Sequence, residues 1–261
     1  MGNYALAPGS PAIDYIPSSA ITYAAAAPST DFFGNPRKTP ANPCVDMGAV
    51  DVAAGTTCAG GRGGGTPPPF PTLPVLDNFN RANANNLGSN WTQLVVLGTA
   101  NLRVNSDQAI CGAAFGCGAG PAEWNPTTLG NRQAAACTFA SAPSGTETLL
   151  LKTSGSNLFG VRQNAIEVQY SGGTVTVSTF INFSTSTIGS LSGSFANGDT
   201  IAAMADQNGV VYVWKTSGTT TTYLGRVTPP SNALWSSGGQ IGFLLSSTNA
   251  RVGNFAGGNV P

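Results

Sequence analysis

Apolar and polar residues alternate with a period of two along most of the chain beyond residue 100, between clusters of turn residues. Thr174-Val175-Thr176-Val177-Ser178-Thr179-Phe180-Ile181 sets Val175, Val177 and Ile181 on one face, the pattern of a strand with one side buried. Residues 165–170 alternate in the same way, and Ser171-Gly172-Gly173 joins the two runs; this predicts a tight hairpin. Residues 209–215 follow Asn208-Gly209, a reverse-turn signal. The same reading predicts strands at 102–104, 134–139, 148–152, 158–162, 200–205, 222–227, 240–245 and 251–255. No segment of about 12 residues carries a 3.6-residue period. Many short, evenly spaced strands predict an all-β sandwich or barrel.

Three regions separate by composition. Residues 1–58 are rich in Pro and Ala, with scattered aromatics. Residues 59–74 contain Gly60-Gly61-Arg62-Gly63-Gly64-Gly65-Thr66-Pro67-Pro68-Pro69, a linker flexible at its Gly half and extended at its Pro half. Residues 75–261 hold the alternating strands. The first segment is near the lower size limit for a self-sufficient core. Seven prolines, from Pro8 to Pro43, interrupt any ladder within it. It is expected to dock on another surface rather than fold alone. An export signal, on this reading, lies upstream of Met1 or has been removed, because Met1-Gly2-Asn3-Tyr4 has neither a basic nor an apolar region.

Charge changes the functional picture. Charged residues make up 8% of the chain and the net charge is zero, against about 25% charged residues in an ordinary soluble domain. No broad field can form, which argues against nucleic-acid binding and against attraction to an anionic membrane surface. No apolar run reaches the roughly 18 residues of a transmembrane helix. The chain has no histidine, which removes the commonest general base and metal ligand and any Ser-His or Cys-His nucleophile pair. Five cysteines stand at positions 44, 58, 111, 117 and 137. Cys44 with Cys58 and Cys111 with Cys117 have spacings that suit disulfide-closed loops and an oxidising compartment. Cys137, in an apolar run, is expected as a buried strand thiol.

Asp77-Asn78-Phe79-Asn80-Arg81, Leu87-Gly88-Ser89-Asn90-Trp91, Phe159-Gly160-Val161-Arg162-Gln163, Asn197-Gly198-Asp199-Thr200-Ile201, Gly238-Gly239-Gln240-Ile241-Gly242-Phe243 and Ala250-Arg251-Val252-Gly253-Asn254-Phe255 occur in that order. Together they resemble the concanavalin-A-like, laminin-G-like sandwich domains of secreted bacterial and phage proteins. The resemblance implies an antiparallel jelly-roll β-sandwich and, frequently, carbohydrate recognition. The group also includes enzymes and purely structural domains, so the fold does not settle the function. Leu6-Ala7-Pro8-Gly9-Ser10-Pro11-Ala12-Ile13-Asp14, with Asp31, Gly34-Asn35-Pro36-Arg37 and Asp46-Met47-Gly48-Ala49-Val50, resembles the C-terminal end of right-handed parallel β-helix proteins of bacterial surfaces. That implies an extended, irregular N-terminal segment that caps an upstream β-helix or another partner.

Aromatic rings stack on the C–H faces of sugars without needing charge. Trp91, Trp124, Trp214 and Trp235 are therefore the candidate rings, and Trp124, Trp214 and Tyr212, with Arg162, are the expected ligand contacts; Trp214 can equally serve the core or a groove floor, and the resemblance implies a buried position for Trp235. Trp124 is the ring expected to be most exposed. Hydrolysis of a glycosidic bond needs two carboxylates about 5–10 Å apart; Asp77, Asp107, Glu123, Glu147, Glu167, Asp199 and Asp206 are available, and only Glu147 and Glu167 are expected on one sheet face. An elimination needs a base such as Tyr170 or Tyr212 beside Arg162. No cofactor is expected, unless a structural calcium sits among Asp77, Asn78 and Asn254 where the first and last strands meet.

The leading expectation is a non-catalytic extracellular or cell-surface module that recognises a polysaccharide or glycan. The second is a structural or adhesive subunit of a surface fibre or filament, assembling through its N-terminal segment with copies of itself or an upstream β-helix. The third is a glycan-cleaving enzyme.

Overall fold

The computed structural model describes residues 29–34, 68–93, 101–112, 121–141, 146–156 and 162–261. The chain divides into two units, Met1–Pro68 and Pro69–Pro261. In the first, the described turn at 29–34 is closed by the Asp31 carboxylate, which accepts from the Phe33 amide at 2.9 Å. It exposes Phe32 and Phe33 as an edge-to-face pair.

The second unit is all β. Its strands are β1 (Val75–Asp77), β2 (Trp91–Gln93), β3 (Leu102–Asn105), β4 (Gln108–Cys111), β5 (Ala122–Trp124), β6 (Gln133–Phe139), β7 (Glu147–Ser156), β8 (Arg162–Ser171), β9 (Thr174–Ile181), β10 (Ser184–Ser192), β11 (Thr200–Ala205), β12 (Val211–Ser217), β13 (Thr220–Val227), β14 (Gln240–Leu245) and β15 (Arg251–Asn259). One 3-10 turn, Ala233–Ser236, precedes β14. The first sheet runs β13-β12-β11-β6-β15-β4-β3, with β1 also on β15, and the second runs β10-β9-β8-β7-β14-β5-β2. The pairings between these strands are antiparallel; where β1 meets β15, Val75 faces Ala256 and Asp77 faces Phe255. The two sheets form a jelly-roll sandwich.

Strand alternation builds the core. Leu149 and Leu151 of β7, Ile166, Val168 and Tyr170 of β8, and Val175 and Val177 of β9 point inward. They meet Phe139, Ile201, Val211, Val213, Val252 and Phe255 of the first sheet. Burying each large side chain of this kind is worth about 1.5–3 kcal/mol. Trp91 makes edge contacts with Trp124, Phe243 and Phe255, with ring centroids 5.1 to 5.3 Å apart. Trp235 is buried and donates its indole N–H to the Pro230 carbonyl. The Asn208-Gly209 turn packs on its ring so closely that a Cβ at Gly209 would fall 2.6 Å from the indole.

The Gly172-Gly173 hairpin forms as expected, with both residues at positive φ, the requirement of a two-residue turn that matches strand twist. The next hairpin, between β9 and β10, uses Asn182 and Phe183 at φ 47° and 66°. No glycine announces that turn, and β10 shows no apolar alternation, so the sequence pattern does not reveal it. The short strands β2, β4 and β5 also escape periodicity. The expected strand at 158–162 lies outside the described residues except for Arg162, which opens β8. β7 continues past its expected end through a bulge at Lys152, whose φ is 52°.

Closure by the first and last strands holds as expected. The Asp77 carboxylate fixes it, accepting from Arg81 Nη1 at 2.6 Å, Trp91 Nε1 at 2.7 Å and the Phe79 amide at 2.8 Å. Cys137 is a buried free thiol, as expected, and burial pushes its ionisation above the ordinary range. Cys111 is disulfide-bonded. Cys44, Cys58 and Cys117 lie outside the described residues, and with them both expected pairings and, apart from Asp31 and Gly34, the expected β-helix-like motifs.

Candidate ligand-binding site

The alternation that fills the core turns the remaining residues of the second sheet outward. Register aligns one outward row across the whole sheet: Thr92 faces Glu123, Glu123 faces Gly242, Gly242 faces Leu150, Leu150 faces Glu167, Glu167 faces Ser178, and Ser178 faces Thr187. Beside it runs a second row of Leu244, Thr148, Gln169 and Thr176. Leu150, Thr148, Glu123 and Ser178 in the middle of these rows are buried, and Glu167, Gln169, Thr176 and Thr187 are the polar residues that reach solvent. Gly242 keeps it low in the middle: a Cβ there would fall 2.1 Å from the Ala122 carbonyl oxygen.

Among the described residues, the Arg162 cation serves this face. The Arg162 guanidinium forms an ion pair with Glu167, and its charge also acts on Glu123. Its Cζ sits 4.8 Å from the centre of the Phe180 ring, within cation–π range. Phe183, 52% exposed, meets Phe180 edge-on with centroids 6.2 Å apart. Glu123 is buried, and burial raises its carboxyl above the ordinary glutamate range; the Thr153 hydroxyl beside it and the Arg162 charge oppose the shift. Thr153 nevertheless stands outside hydrogen-bonding geometry. Its hydroxyl, Glu123 Oε1, Thr148 Oγ1 and Arg162 Nε are all buried without a hydrogen-bond partner. Orphaned buried polar atoms cost about 1–3 kcal/mol each, and ordered water is the usual partner of such groups.

The expected ligand residues do not share a surface. Arg162 belongs to the cluster just described. Trp124 is 8% exposed and packs into the core against Trp91, contrary to the expected exposure; its neighbour Glu123 takes the outward position on β5. Trp214 and Tyr212 lie on the outer side of the first sheet. There Trp214 is buried in a small cluster with Ala134 and Met204, against which Leu73, Tyr212, Tyr223 and Val260 pack, and Phe70 covers it edge-on at 6.0 Å. Tyr212 stacks on Trp214 with centroids 6.3 Å apart.

The expected carboxylate pair is also separated. Glu147 faces Tyr170, whose ring is in the core, whereas Glu167 faces Leu150 on the outer side. The elimination pairs are not assembled either. The Tyr170 hydroxyl points into the core side and accepts from the Gly173 and Phe195 amides at 3.2 and 3.3 Å, and Tyr212 is on the other sheet. For the calcium candidates, both Asp77 oxygens already accept from Arg81 and Trp91, and the Asn78 side chain accepts from the Asn80 amide. Asn254 pairs across from Thr138 rather than β1. No group of three or more His, Cys, Asp and Glu able to hold a metal occurs among the described residues. Sequence reasoning counted Glu123 among the available carboxylates but did not place it on this face, because three residues of β5, Ala-Glu-Trp, are too few to show a period.

The architecture and outer-face cluster define the class: an antiparallel two-sheet sandwich with a polar outer face on one sheet. No protein-family model matches the chain, and no curated protein does either. Solved structures of similar architecture include the carbohydrate recognition domain of Emp46p in its potassium-bound form, 14% identical, with a TM-score of 0.46 over 66% of this chain and 90% of that one. Carbohydrate binding module CBM66 from Bacillus subtilis is 12% identical, with a TM-score of 0.37 over 67% of this chain and 96% of that one. The GH43 protein BlXynB from Bacillus licheniformis is 11% identical, with a TM-score of 0.43 over 70% of this chain. This chain spans 39% of that protein's length.

Proposed function

We propose that the sandwich is an extracellular, non-catalytic module that recognises a glycan on the outer face of its second sheet. The observation that carries this reading is the Glu123–Arg162–Glu167 cluster, set beneath Phe180 on a face otherwise built of hydroxyls and amides. Sugar hydroxyls donate to carboxylates and both donate to and accept from amides and hydroxyls, and Glu167, Gln169, Thr176 and Thr187, which reach solvent on this face, supply both kinds of partner. The half-buried Phe180 and exposed Phe183 offer apolar ring surface beside them.

Cleavage is a poorer fit. A general acid must hold its proton near neutral pH. Burial raises Glu123, but it is covered, and Glu167 is occupied in an ion pair with Arg162. Affinity electrophoresis through gels containing a panel of soluble polysaccharides tests the proposal, together with a reducing-end assay on the same panel. Retardation by at least one polysaccharide without new reducing ends is the expected result. Release of reducing ends overturns the non-catalytic reading, and no retardation by any polysaccharide overturns the glycan reading.

A further inference from the structure

We infer that β10 is a docking edge for a second copy of this chain, pairing antiparallel with its own counterpart. β10 is the outermost strand of the second sheet. Over its nine residues, Ser184-Thr185-Ser186-Thr187-Ile188-Gly189-Ser190-Leu191-Ser192, it is exposed or part-exposed throughout. One side of its backbone is bonded to β9, and among the described residues no strand is bonded to the other. Free edges are templates for another strand.

The other edges carry the usual protection. β2 has three residues. β3 has four and includes Arg103. β13 includes Arg226 and is bulged against β12. β10 has no charged residue and no proline, and its single register shift, between Thr187 and Gly189, is its one irregularity.

The identity of the occupant follows from charge. A two-fold contact sets every residue of the edge against the same edge, so any charge on it meets its own like. β10 carries none, and the chain as a whole has zero net charge. Self-pairing brings Ser and Thr hydroxyls opposite one another, a favourable cross-strand combination. An edge selected for a charged partner strand would carry complementary charges instead.

The two-fold axis of this pairing is perpendicular to the sheet, so two copies form one continuous sheet with both outer faces pointing the same way. Two ligand faces side by side give avidity toward a repeating polymer. The dimer itself does not depend on the glycan reading.

Sedimentation velocity of the full chain across a wide concentration range tests the inference. The expected result is reversible conversion from monomer to dimer. The double variant Thr185→Lys/Thr187→Lys places ammonium groups from both copies in the seam and is expected to weaken dimerisation tenfold or more while the melting temperature of the dilute monomer stays unchanged. Hydrogen exchange supplies an independent reading: β10 amides gain protection at dimer-forming concentrations. A chain that stays monomeric, or dimers that form without protecting β10, overturn the inference. Capture of β10 by a strand of a different sequence in preference to its own copy overturns it as well.

Discussion

Glu147 and Glu167, on the adjacent strands β7 and β8, lie on opposite sides of the same sheet. Glu147 faces Tyr170 and Glu167 faces Leu150. Strand alternation therefore sends the first into the core, where it is 2% exposed, and the second outward toward Arg162. Both Glu147 oxygens lack a hydrogen-bond partner.

That burial gives a pH dependence. Desolvation raises Glu147 from 4.5 to about 7 in the folded state. The folded protein then holds a proton that the unfolded chain has released, so stability falls as pH rises from about 4.5 to about 7. The full effect is about 3 kcal/mol. Urea unfolding at pH 5 and pH 8 checks this. Glu147→Gln is expected to flatten that slope and to be the more stable protein at pH 8.

Lys152 is a second buried charge, and it is structural. Its ammonium donates to the carbonyls of Asn131 at 2.6 Å, Trp235 at 2.5 Å and Ser237 at 3.4 Å. Burial lowers it to about 8. Lys152→Met leaves those carbonyls without their donor and is expected to cost about 2–4 kcal/mol in denaturant unfolding, with the far-ultraviolet spectrum unchanged at low denaturant.

Trp214 fills a buried site under Phe70. Trp214→Ala is expected to destabilise the fold by about 3–5 kcal/mol and to leave polysaccharide affinity unchanged in whatever fraction stays folded. Thermal melts and affinity gels on the same preparation separate the two effects.

Asp77 ties β1, β2 and Arg81 together through charged hydrogen bonds. Burial alone would raise its carboxyl, but the donors from Arg81, Trp91 and the Phe79 amide outweigh it and hold the group below the ordinary aspartate value. Its contribution is therefore present above the unfolded value and lost as pH falls through the lower folded one. Asp77→Ala is expected to cost about 2–4 kcal/mol at neutral pH, read from urea unfolding. Deleting 251–261 removes β15, which pairs with β1, β4 and β6, and is expected to abolish the cooperative melt altogether.

The sandwich was legible in the sequence where one strand face is apolar and the turn residues are glycines. β9, β11 and β14 have the bounds that alternation predicts. β10 was hidden because its side chains are hydroxyls on both faces and its turn uses Asn182 and Phe183 in left-handed conformations. The site was harder to read. Arg162 was visible as a cation near the sheet, but Glu123 lies far from it in sequence, on a strand of three residues. Only the register through β14 and β7 brings the two onto one face. Tryptophans misled because size and aromaticity favour both cores and sugar contacts, and nothing in a single sequence separates the two.

The most direct test of the central claim is isothermal titration of one retained polysaccharide into the native chain and into Arg162→Gln and Glu167→Gln variants, with Trp214→Phe on the opposite sheet as control. The account predicts at least tenfold weaker binding for the two outer-face variants, measured on protein whose far-ultraviolet spectrum shows the native fold, and native affinity for the control. Native affinity in both outer-face variants, or loss confined to the Trp214 variant, would contradict it.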